Sequence, residues 1–434
     1  MHNHNSQLST TTSSSSFRTT TGTTIPAPYI LLATALFSLI LVICFSISST
    51  PPPPPLPHPS LFPSHNPHRL LFLGSSPSDP NRRTAPSPPS IAYLIFGSFN
   101  DTGRILRLLY SIYHPRNAYL LHLDSNAPQS ERDALARTVH SVPLFKAAQN
   151  VNVVGKGDVV YIKGSSSLSS TLHGASILFH ISRNWDWFIN LSVDDYPLVT
   201  QDDLLHMLSY MPKDLNFVNH SSYIGWIESH YLKSIIVDPG LFITEQSEVF
   251  YATQKRVLPD AFRLYTGSPS LILCRKFIEF CIAGTDNLPR TLLMYLANTP
   301  SADSVYFPTI LCNSKQFSKT TVNHSLRYVS LNWRKQPNLL NSSYFDDMVK
   351  SGAAFASPFH PNDPVLDRID HEILHRDPGK PVPGGWCLGE TRDDICDVWG
   401  DAAVLRPSPE SRRLEKLFLK LLSRETLSQQ CVFD

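Results

Sequence analysis

The sequence predicts an α/β domain with a mostly parallel β-sheet, from Ile91 to the end of the 434-residue chain. Short apolar runs alternate there with segments of helical length, a pattern typical of a parallel sheet covered on both faces. The apolar run 187–193 is too short for a helix of its own and is typical of a strand buried on both faces. Asp194 and Asp195 follow, then a Tyr-Pro turn and Thr200, which can cap the next helix.

Apolar spacing and boundary residues predict the other elements in order. The predicted strands of the first half are 91–97, 118–123, 151–154 and 187–193, and its helices are 101–113, 129–140, 168–183 and one from about Gln201. The second half is predicted to hold a strand and a helix within 264–280, helices at 290–297 and 306–312, and an amphipathic helix at 410–425. We therefore divide the body into a first half with a nucleotide-binding type of fold, about 91–215, and a second half, about 216–434.

Carboxylates follow two of the predicted strands, at the edge where open α/β sheets bind ligands. Asp124 can accept hydrogen bonds from a ribose or a base, or can serve only as the turn residue of D-S-N-A-P. Asp194 and Asp195 mark a ligand site or serve only as turn formers. Paired acids can also hold a divalent metal, but side chains of neighbouring strand residues point to opposite faces, so both can hardly bind one ion. Gly97 is not followed by a G-x-G-x-x-G pattern, which argues against a dinucleotide site.

The N-terminal region predicts a membrane anchor and a spacer. Residues 1–28 are rich in Ser, Thr and Asn, with Arg18 as the one charged residue, and too polar to build a core, so we predict a disordered cytosolic tail. The uncharged apolar stretch 29–47 is long enough to cross a membrane and longer than the apolar region of a usual cleaved signal peptide. The Pro/Ser-rich segment 48–90 is a semi-extended stem. Together they give a single-pass type II layout.

Charge and cysteine content limit the partners and the compartment. The formal charge of +1 and the pI of about 7.7 provide no electrostatic footprint for nucleic acid. The six cysteines after the apolar stretch are an even number, which fits an oxidising lumen. Cys387 and Cys396 are the predicted disulfide because a short loop closes easily, and other pairs are expected within the second half. The predicted N-glycosylation sites are Asn100, Asn219, Asn323 and Asn341, whereas Asn190 lies in a strand.

An aromatic segment opens the second half. The stretch 224–242 reads I-G-W-I-E-S-H-Y-L-K-S-I-I-V-D-P-G-L-F. Trp226 and Glu228 are candidate acceptor-binding residues, because the C-H face of a sugar packs on an aromatic ring while polar groups recognise its hydroxyls. The same composition also suits an ordinary core.

Several motifs together resemble the plant branch of the core-2/I-branching β-1,6-N-acetylglucosaminyltransferase family, over roughly 91–386. They are I-A-Y-L-I-F-G-S, Y-L-L-H-L-D-S-N-A-P, L-S-V-D-D-Y-P-L-V-T-Q-D-D-L-L, F-R-L-Y-T-G-S, D-N-L-P-R-T-L-L-M-Y and D-P-V-L-D-R-I-D. The resemblance implies an inverting transferase of the GT-A fold in the Golgi membrane, with a UDP-sugar donor and no metal. Plant relatives add glucuronic acid to the galactan chains of arabinogalactan proteins, so UDP-glucuronic acid and a galactan acceptor are the expected partners.

The resemblance also implies site residues. Gly97 and Asp124 would hold uridine, and Asp195 would line the donor site. Inversion needs one carboxylate as a general base, and without a metal, cationic side chains must stabilise the departing UDP. These expected positions are where the sequence departs from the family pattern.

At three positions the chain lacks the residue that the family uses. Ser304 stands where relatives carry the Glu base, which leaves Asp303 as the nearest carboxylate and the candidate catalytic residue. Pro358 replaces the Lys that binds pyrophosphate. The corresponding Arg falls near Asn338, leaving Arg334 and Lys335 as cationic candidates. Two further functions therefore stay open: a catalytically impaired member that binds glycan or nucleotide as a partner, and a transferase of another sugar such as N-acetylglucosamine or xylose.

Overall fold

The computed structural model describes residues 88–242, 248–334, 336–389 and 395–423, together with Ser38 and Cys431. The predicted cytosolic tail, the anchor apart from Ser38, and the stem up to residue 87 lie outside the described residues, as does Lys335. No helix within the described ranges has both the length and the apolar character that a membrane crossing requires.

The described residues form short strands and mostly short helices. The strands are β1 (Ile91–Gly97), β2 (Ala118–Leu123), β3 (Val151–Val153), β4 (Trp187–Ser192), β5 (Tyr196–Pro197), β6 (Asn216–Phe217), β7 (His220–Ser221), β8 (Ser234–Val237), β9 (Phe250–Lys255), β10 (Thr266–Gly267), β11 (Ile272–Cys274), β12 (Thr321–Val322), β13 (Arg327–Tyr328) and β14 (Phe355–Ala356). The helices are α1 (Thr102–Ser111), α2 (Gln129–Ser141), α3 (Pro143–Ala148), α4 (Ser166–Ile181), α5 (Gln201–Ser209), α6 (Trp226–Lys233), α7 (Arg275–Ile282), α8 (Asn287–Leu296), α9 (Asp303–Asn313), α10 (Phe345–Ser351), α11 (Pro364–Glu372) and α12 (Ser411–Leu421). Two short 3-10 helices lie at Ser318–Thr320 and Ser342–Tyr344.

The mostly parallel central sheet is confirmed. Its order is β12-β6-β11-β4-β1-β2-β3. Strands β3, β2, β1 and β4 are mutually parallel, and among the described strands of this sheet only β11 runs antiparallel to its neighbours. The first five residues of β1 have no exposed surface, because the sheet is covered on both faces.

Predicted helices are found close to their expected places, and their ends follow from local capping. Thr200 caps α5 as predicted, its side chain accepting a hydrogen bond from the Asp203 N–H. Helix α8 begins three residues earlier than predicted, because the Asp286 carboxylate accepts from the Leu288 N–H. Helix α3 was not predicted as a separate element. Pro143 starts it, since proline is well suited to the first turn of a helix.

The predicted Tyr-Pro turn is wrong, and the structure has a two-residue strand there. Tyr196 and Pro197 form β5, which pairs with Ala356 and Phe355 of β14. Proline is tolerated because β5 is the edge strand of the three-stranded sheet β13-β14-β5. This small sheet places Arg327 of β13 beside the end of β4.

Two disulfides close parts of the second half. Cys387 and Cys396, the pair expected from its short loop, are bonded. Cys312 at the end of α9 is bonded to Cys431 near the C-terminus. Cys274 and Cys281 are free thiols.

Candidate active site

The carboxyl ends of β1, β2 and β4 lie together at one edge of the central sheet. Gly97 is paired in register with Leu123, and Phe96 with Ser192. Asp124 and the acidic pair after β4 therefore start from the same edge, as open α/β sheets require of a ligand site. Helix α4 begins on the same side, because it follows the carboxyl end of β3.

Asp124 organises the turn after β2. Its Oδ1 accepts hydrogen bonds from the Ser98 hydroxyl and the Asn126 N–H, both at 3.0 Å. A Cβ atom on Gly97 would lie 2.8 Å from Cδ1 of Ile105, so glycine lets α1 pack closely against the end of β1. The structure thus gives Asp124 the turn role and also places it beside Gly97, as the uridine hypothesis requires.

The two acidic residues after β4 bind different partners. Asp194 Oδ1 lies 2.5 Å from a guanidinium nitrogen of Arg104. The Arg104 guanidinium also contacts the carboxylate of Asp101, the residue before α1. Asp195 is buried, and its Oδ2 accepts from the Ser192 N–H at 2.7 Å. The side chains therefore diverge, as predicted from neighbouring positions at a strand end.

Asp195 forms a buried ion pair that sequence reasoning missed. Its Oδ2 lies 3.3 Å from a guanidinium nitrogen of Arg327, a buried residue of β13. Burial raises the pKa of Asp195 and lowers the pKa of Arg327, while each charge partly offsets the shift of the other. Arg327 was not predicted because it is far away in sequence, in a two-residue strand without an apolar pattern.

Asp303 occupies the first turn of α9. Its Oδ2 accepts from the Ser167 hydroxyl at 3.1 Å, and its Oδ1 accepts from the Ser304 N–H at 2.8 Å. Burial raises the pKa of Asp303, although these hydrogen bonds oppose the shift. Because Ser167 lies in the first turn of α4, Asp303 is brought to the same side of the sheet as Asp124 and Asp195.

Asp238 holds the loop that leads into α4. One carboxylate oxygen accepts from the N–H groups of Ser165 and Ser166 at 2.8 and 2.7 Å. A Cβ on Gly164 would lie 1.9 Å from that oxygen, so only glycine fits there. Asp238 lies in the stretch 224–242, whose sequence gives no sign of the loop that this carboxylate holds.

A second cluster missed by sequence reasoning lies at the end of β2. Asp158 Oδ2 lies 3.2 Å from Nε2 of His122 and 3.0 Å from Nδ1 of His173. Burial opposes ionisation, but the hydrogen bonds from both imidazoles hold the pKa of Asp158 well below its usual range. His122 precedes Asp124 by two residues, so the strand period puts both on one face.

Arg334, one of the two cationic candidates, lies on a hairpin near the acidic pair. The main chains of Leu331 and Pro337 form a bridge, and the Arg334 guanidinium lies 4.4 Å from the Trp333 ring centre at the exposed tip. Asn338 binds the Ser330 hydroxyl rather than a charged group. Lys335 lies outside the described residues.

The Pro358 segment connects this hairpin to the strand end. The Leu340 N–H donates to the Pro358 carbonyl at 2.8 Å, and the Phe359 N–H donates to the Asp194 carbonyl at 3.0 Å. The segment therefore holds the base of the hairpin next to the residues that follow β4.

Trp226 is a surface residue, which rules out the core interpretation for this side chain. It is 82% exposed at the start of α6, and its ring lies 5.8 Å from that of His230. His230 in turn approaches the Lys255 ammonium at 3.2 Å, so α6 and β9 adjoin. Exposed aromatic residues of the same region are Tyr223, Tyr231, Phe250 and Tyr251. The Glu228 carboxylate folds back over Gly225, where a Cβ would lie 2.6 Å from it.

The predicted glycosylation sites are all exposed. Asn100, Asn219, Asn323 and Asn341 lie on the surface, and the Asn323 side chain also binds the main chain of His220. Asn190 is different, because its amide binds the Pro269 carbonyl and the Leu271 N–H within the sheet.

One group in the described residues has the spacing of metal ligands: His220, Cys312 and Cys431. The two cysteines are bonded to each other, so neither provides a thiolate. A cavity of about 1010 Å³ lies elsewhere, lined among others by Tyr110, Arg376 and Trp399, and it contains none of the predicted nucleotide-binding or catalytic residues.

Comparison with known proteins gives consistent matches over this body. The family described as "Branch: Core-2/I-Branching enzyme" matches residues 91–346. The chain is 48% identical over 353 residues to beta-glucuronosyltransferase GlcAT14A of Arabidopsis thaliana, covering 80% of this chain and 78% of the relative. It is 46% identical over 378 residues to beta-glucuronosyltransferase GlcAT14C of the same plant, covering 83% of this chain and 94% of the relative. Xylosyltransferase 1 of Rattus norvegicus is 27% identical over 58% of this chain and 29% of the relative. The residues that the family matches, 91–346, contain Gly97, Asp124, Asp195 and Asp303.

Proposed function

Because the chain belongs to the Core-2/I-branching enzyme family, we propose that it is an inverting transferase of glucuronic acid from UDP-glucuronic acid to the galactan side chains of arabinogalactan proteins. The observation that carries the proposal is the identity of 46–48% to named beta-glucuronosyltransferases over about four fifths of the chain. The order and direction of the sheet strands agree with a GT-A type of nucleotide-sugar fold.

Asp303 is the proposed general base. Its carboxylate takes the proton from an acceptor hydroxyl while that oxygen attacks the anomeric carbon and the bond to the UDP oxygen breaks. The attack comes from the face opposite UDP, so the configuration inverts. Burial raises the pKa of Asp303, which brings the carboxylate closer to the operating pH and makes it a better base when ionised.

The donor site is proposed at the ends of β1, β2 and β4. Gly97 and Asp124 would hold uridine, and Asp195, which is paired with the Arg327 guanidinium, would line the donor site. Arg334 and Lys335 are the proposed cations for the departing diphosphate, since a metal-independent mechanism needs positive side chains there. Support for this arrangement comes from the hairpin, whose base is tied to the Asp194 carbonyl through the 358–359 segment.

The acceptor is proposed to bind along α6. Trp226 offers an exposed ring on which a galactan sugar can stack, and Glu228 offers a carboxylate that can bind its hydroxyls.

The proposed location is the Golgi membrane in a single-pass type II orientation. Residues 1–28 would be cytosolic, 29–47 the anchor and 48–90 the stem, with the body in the lumen. Two disulfides and the exposed sequons support an oxidising, glycosylating compartment.

Ser304 is the observation that favours a second candidate, a catalytically impaired partner protein. A serine at the expected base position, with Asn338 and Pro358 at the expected cationic positions, removes the family's usual groups. Transfer of another sugar, N-acetylglucosamine or xylose, is the third candidate, and xylosyltransferase 1 is among the more distant relatives.

The test uses the full chain from a secretory host, with UDP-glucuronic acid and β-galactan oligosaccharides, with and without EDTA. We expect EDTA-resistant transfer that falls by about two to four orders of magnitude in Asp303→Ala, the range for loss of a general base. Ser304→Ala is the matched control and should retain activity. Folded protein that binds UDP but releases none from any donor would support the partner role. Activity with a different UDP-sugar alone would support the third candidate.

A further inference from the structure

The hydroxyl of Tyr196, which directly follows Asp195, is the centre of a buried polar network. This side chain is 3% exposed, and its hydroxyl donates to Oδ1 of Asp370 at 2.6 Å. Arg107 and Arg376 each donate a hydrogen bond to the same hydroxyl oxygen at 3.2 Å. A tyrosine hydroxyl has one hydrogen and two lone pairs, so all its bonding capacity is used.

Asp370 connects the members of this network. Its carboxylate accepts from Arg107 at 2.8 Å and from two nitrogens of Arg376 at 2.9 and 2.5 Å. It is the last residue of the D-P-V-L-D-R-I-D motif, to which the proposed mechanism gives no role. Two guanidinium groups next to one carboxylate form a charge-assisted network, and such bonds are about twice as strong as neutral ones.

Strand β5 has little backbone support of its own. It consists of Tyr196 and Pro197, and proline has no N–H to donate. On one side it pairs with β14, and the Tyr196 ring is the part of the strand that reaches α1 and α11. The side-chain network therefore holds the side of this strand that faces away from β14, and it adds to the bonds that Ser192, Arg327 and Phe359 make to the acidic pair.

We propose that Tyr196 and Asp370 are positioning residues that fix Asp195 at the donor site by anchoring β5 to α1 and α11. This inference rests on the proposed transferase function. The anchor acts through the main chain, because Tyr196 is joined to Asp195 by one peptide bond. Burial raises the pKa of Tyr196 to about 12, which keeps its hydroxyl protonated and able to donate to Asp370 at physiological pH.

The test compares Tyr196→Phe with Tyr93→Phe. Tyr93 is also fully buried, and its hydroxyl donates to Gln201 at 2.9 Å near the opposite edge of the sheet. Both substitutions remove one buried hydroxyl and should lower the thermal midpoint, Tyr196→Phe by more because its partners are charged. At a temperature well below both midpoints, we expect Tyr196→Phe to raise the KM for the donor and the Kd for UDP by about tenfold, since a small displacement in a site is costly. Tyr93→Phe should leave both values unchanged.

A second pair of variants tests the carboxylate. Asp367 also binds Arg107, at 2.7 Å, but its side chain is 78% exposed and it does not contact Tyr196. We expect Asp370→Asn to weaken UDP binding and Asp367→Asn to have no effect. Equal donor KM and UDP Kd in Tyr196→Phe and Tyr93→Phe would overturn the proposal. Calorimetry measures the Kd for UDP without any sugar transfer. A wild-type chain that binds UDP but transfers no sugar would therefore contradict the proposed function and leave the positioning role of Tyr196 and Asp370 testable.

Discussion

Asp303, the proposed general base, carries a cost to the folded state. Burial raises the pKa of this carboxyl above that of an unfolded Asp, about 3.9, so its ionised form is less stable in the folded protein than in the unfolded chain. The unfavourable contribution is fully present above the raised pKa and disappears as the pH falls below about 4. A partly buried carboxylate at this position therefore lowers stability at the pH at which the proposed base would work.

We expect Asp303→Asn to lose transfer activity and to unfold at a higher temperature at pH 7.5. The rise should be roughly 1–3 °C, because about 1 kcal/mol corresponds to a few degrees in a domain of this size. The amide can keep the bond from the Ser304 N–H, and the Ser167 hydroxyl can reverse to accept. Thermal unfolding of both proteins from pH 4 to 8 checks the direction of the effect, since the rise in the midpoint of Asp303→Asn over wild type should shrink as the pH falls. A variant less stable than wild type at pH 7.5 would show that the ionised carboxylate is stabilising.

The acidic members of the site could be predicted from the sequence, whereas their partners could not. Asp124 and Asp195 follow strands with a clear apolar pattern, and strand ends define the ligand edge. Arg327, which neutralises Asp195, lies in a two-residue strand whose pairing is set by tertiary contacts. His122 and His173 meet at Asp158 only because the loop before α4 returns to the end of β2.

At the scale of elements, prediction succeeded where local pattern and capping agreed. Strands β1 to β4 and helices α1, α2, α4 and α5 carry their own apolar periodicity, so their sequence determines them. Strand β5 was predicted as a turn because Tyr-Pro is a turn signal and the pairing partner β14 is distant in sequence. Strand β8 is apolar and β9 is largely exposed, and they pair across a segment that contains residues 243–247.

Helix α6 leads to a prediction about acceptor binding. Trp226→Ala should raise the KM for galactan oligosaccharides about three- to tenfold, since loss of one stacked ring corresponds to about 0.5–1.5 kcal/mol. The thermal midpoint should not change, because the ring is 82% exposed. Leu419→Ala on α12 is the matched control, with a side chain that is 67% exposed. An unchanged KM for the acceptor in Trp226→Ala would show that α6 is not part of the acceptor site.

At the scale of the whole molecule, the two disulfides should contribute unequally to stability. Cys312 and Cys431 are 119 residues apart, whereas Cys387 and Cys396 are 9 apart. In the chain-entropy model the disulfide that closes the longer loop stabilises the folded protein by about 5 kcal/mol, and the one that closes the shorter loop by about 3 kcal/mol. We therefore expect Cys312→Ser with Cys431→Ser to lower the free energy of unfolding by about 2 kcal/mol more than Cys387→Ser with Cys396→Ser. Chemical denaturation of both double variants measures this difference, and a larger loss for the shorter loop would contradict it.

The place of β11 in the central sheet determines when the sheet can be completed during translation. Strand β6 is made before β11, yet it joins the sheet only through β11 and β12. Until the β11 residues, Ile272–Cys274, have left the ribosome, β4 has an unpaired edge and β6 has no neighbour in the sheet. Unpaired strand edges favour aggregation. We therefore expect the nascent chain between the synthesis of β4 and that of β11 to be prone to aggregation.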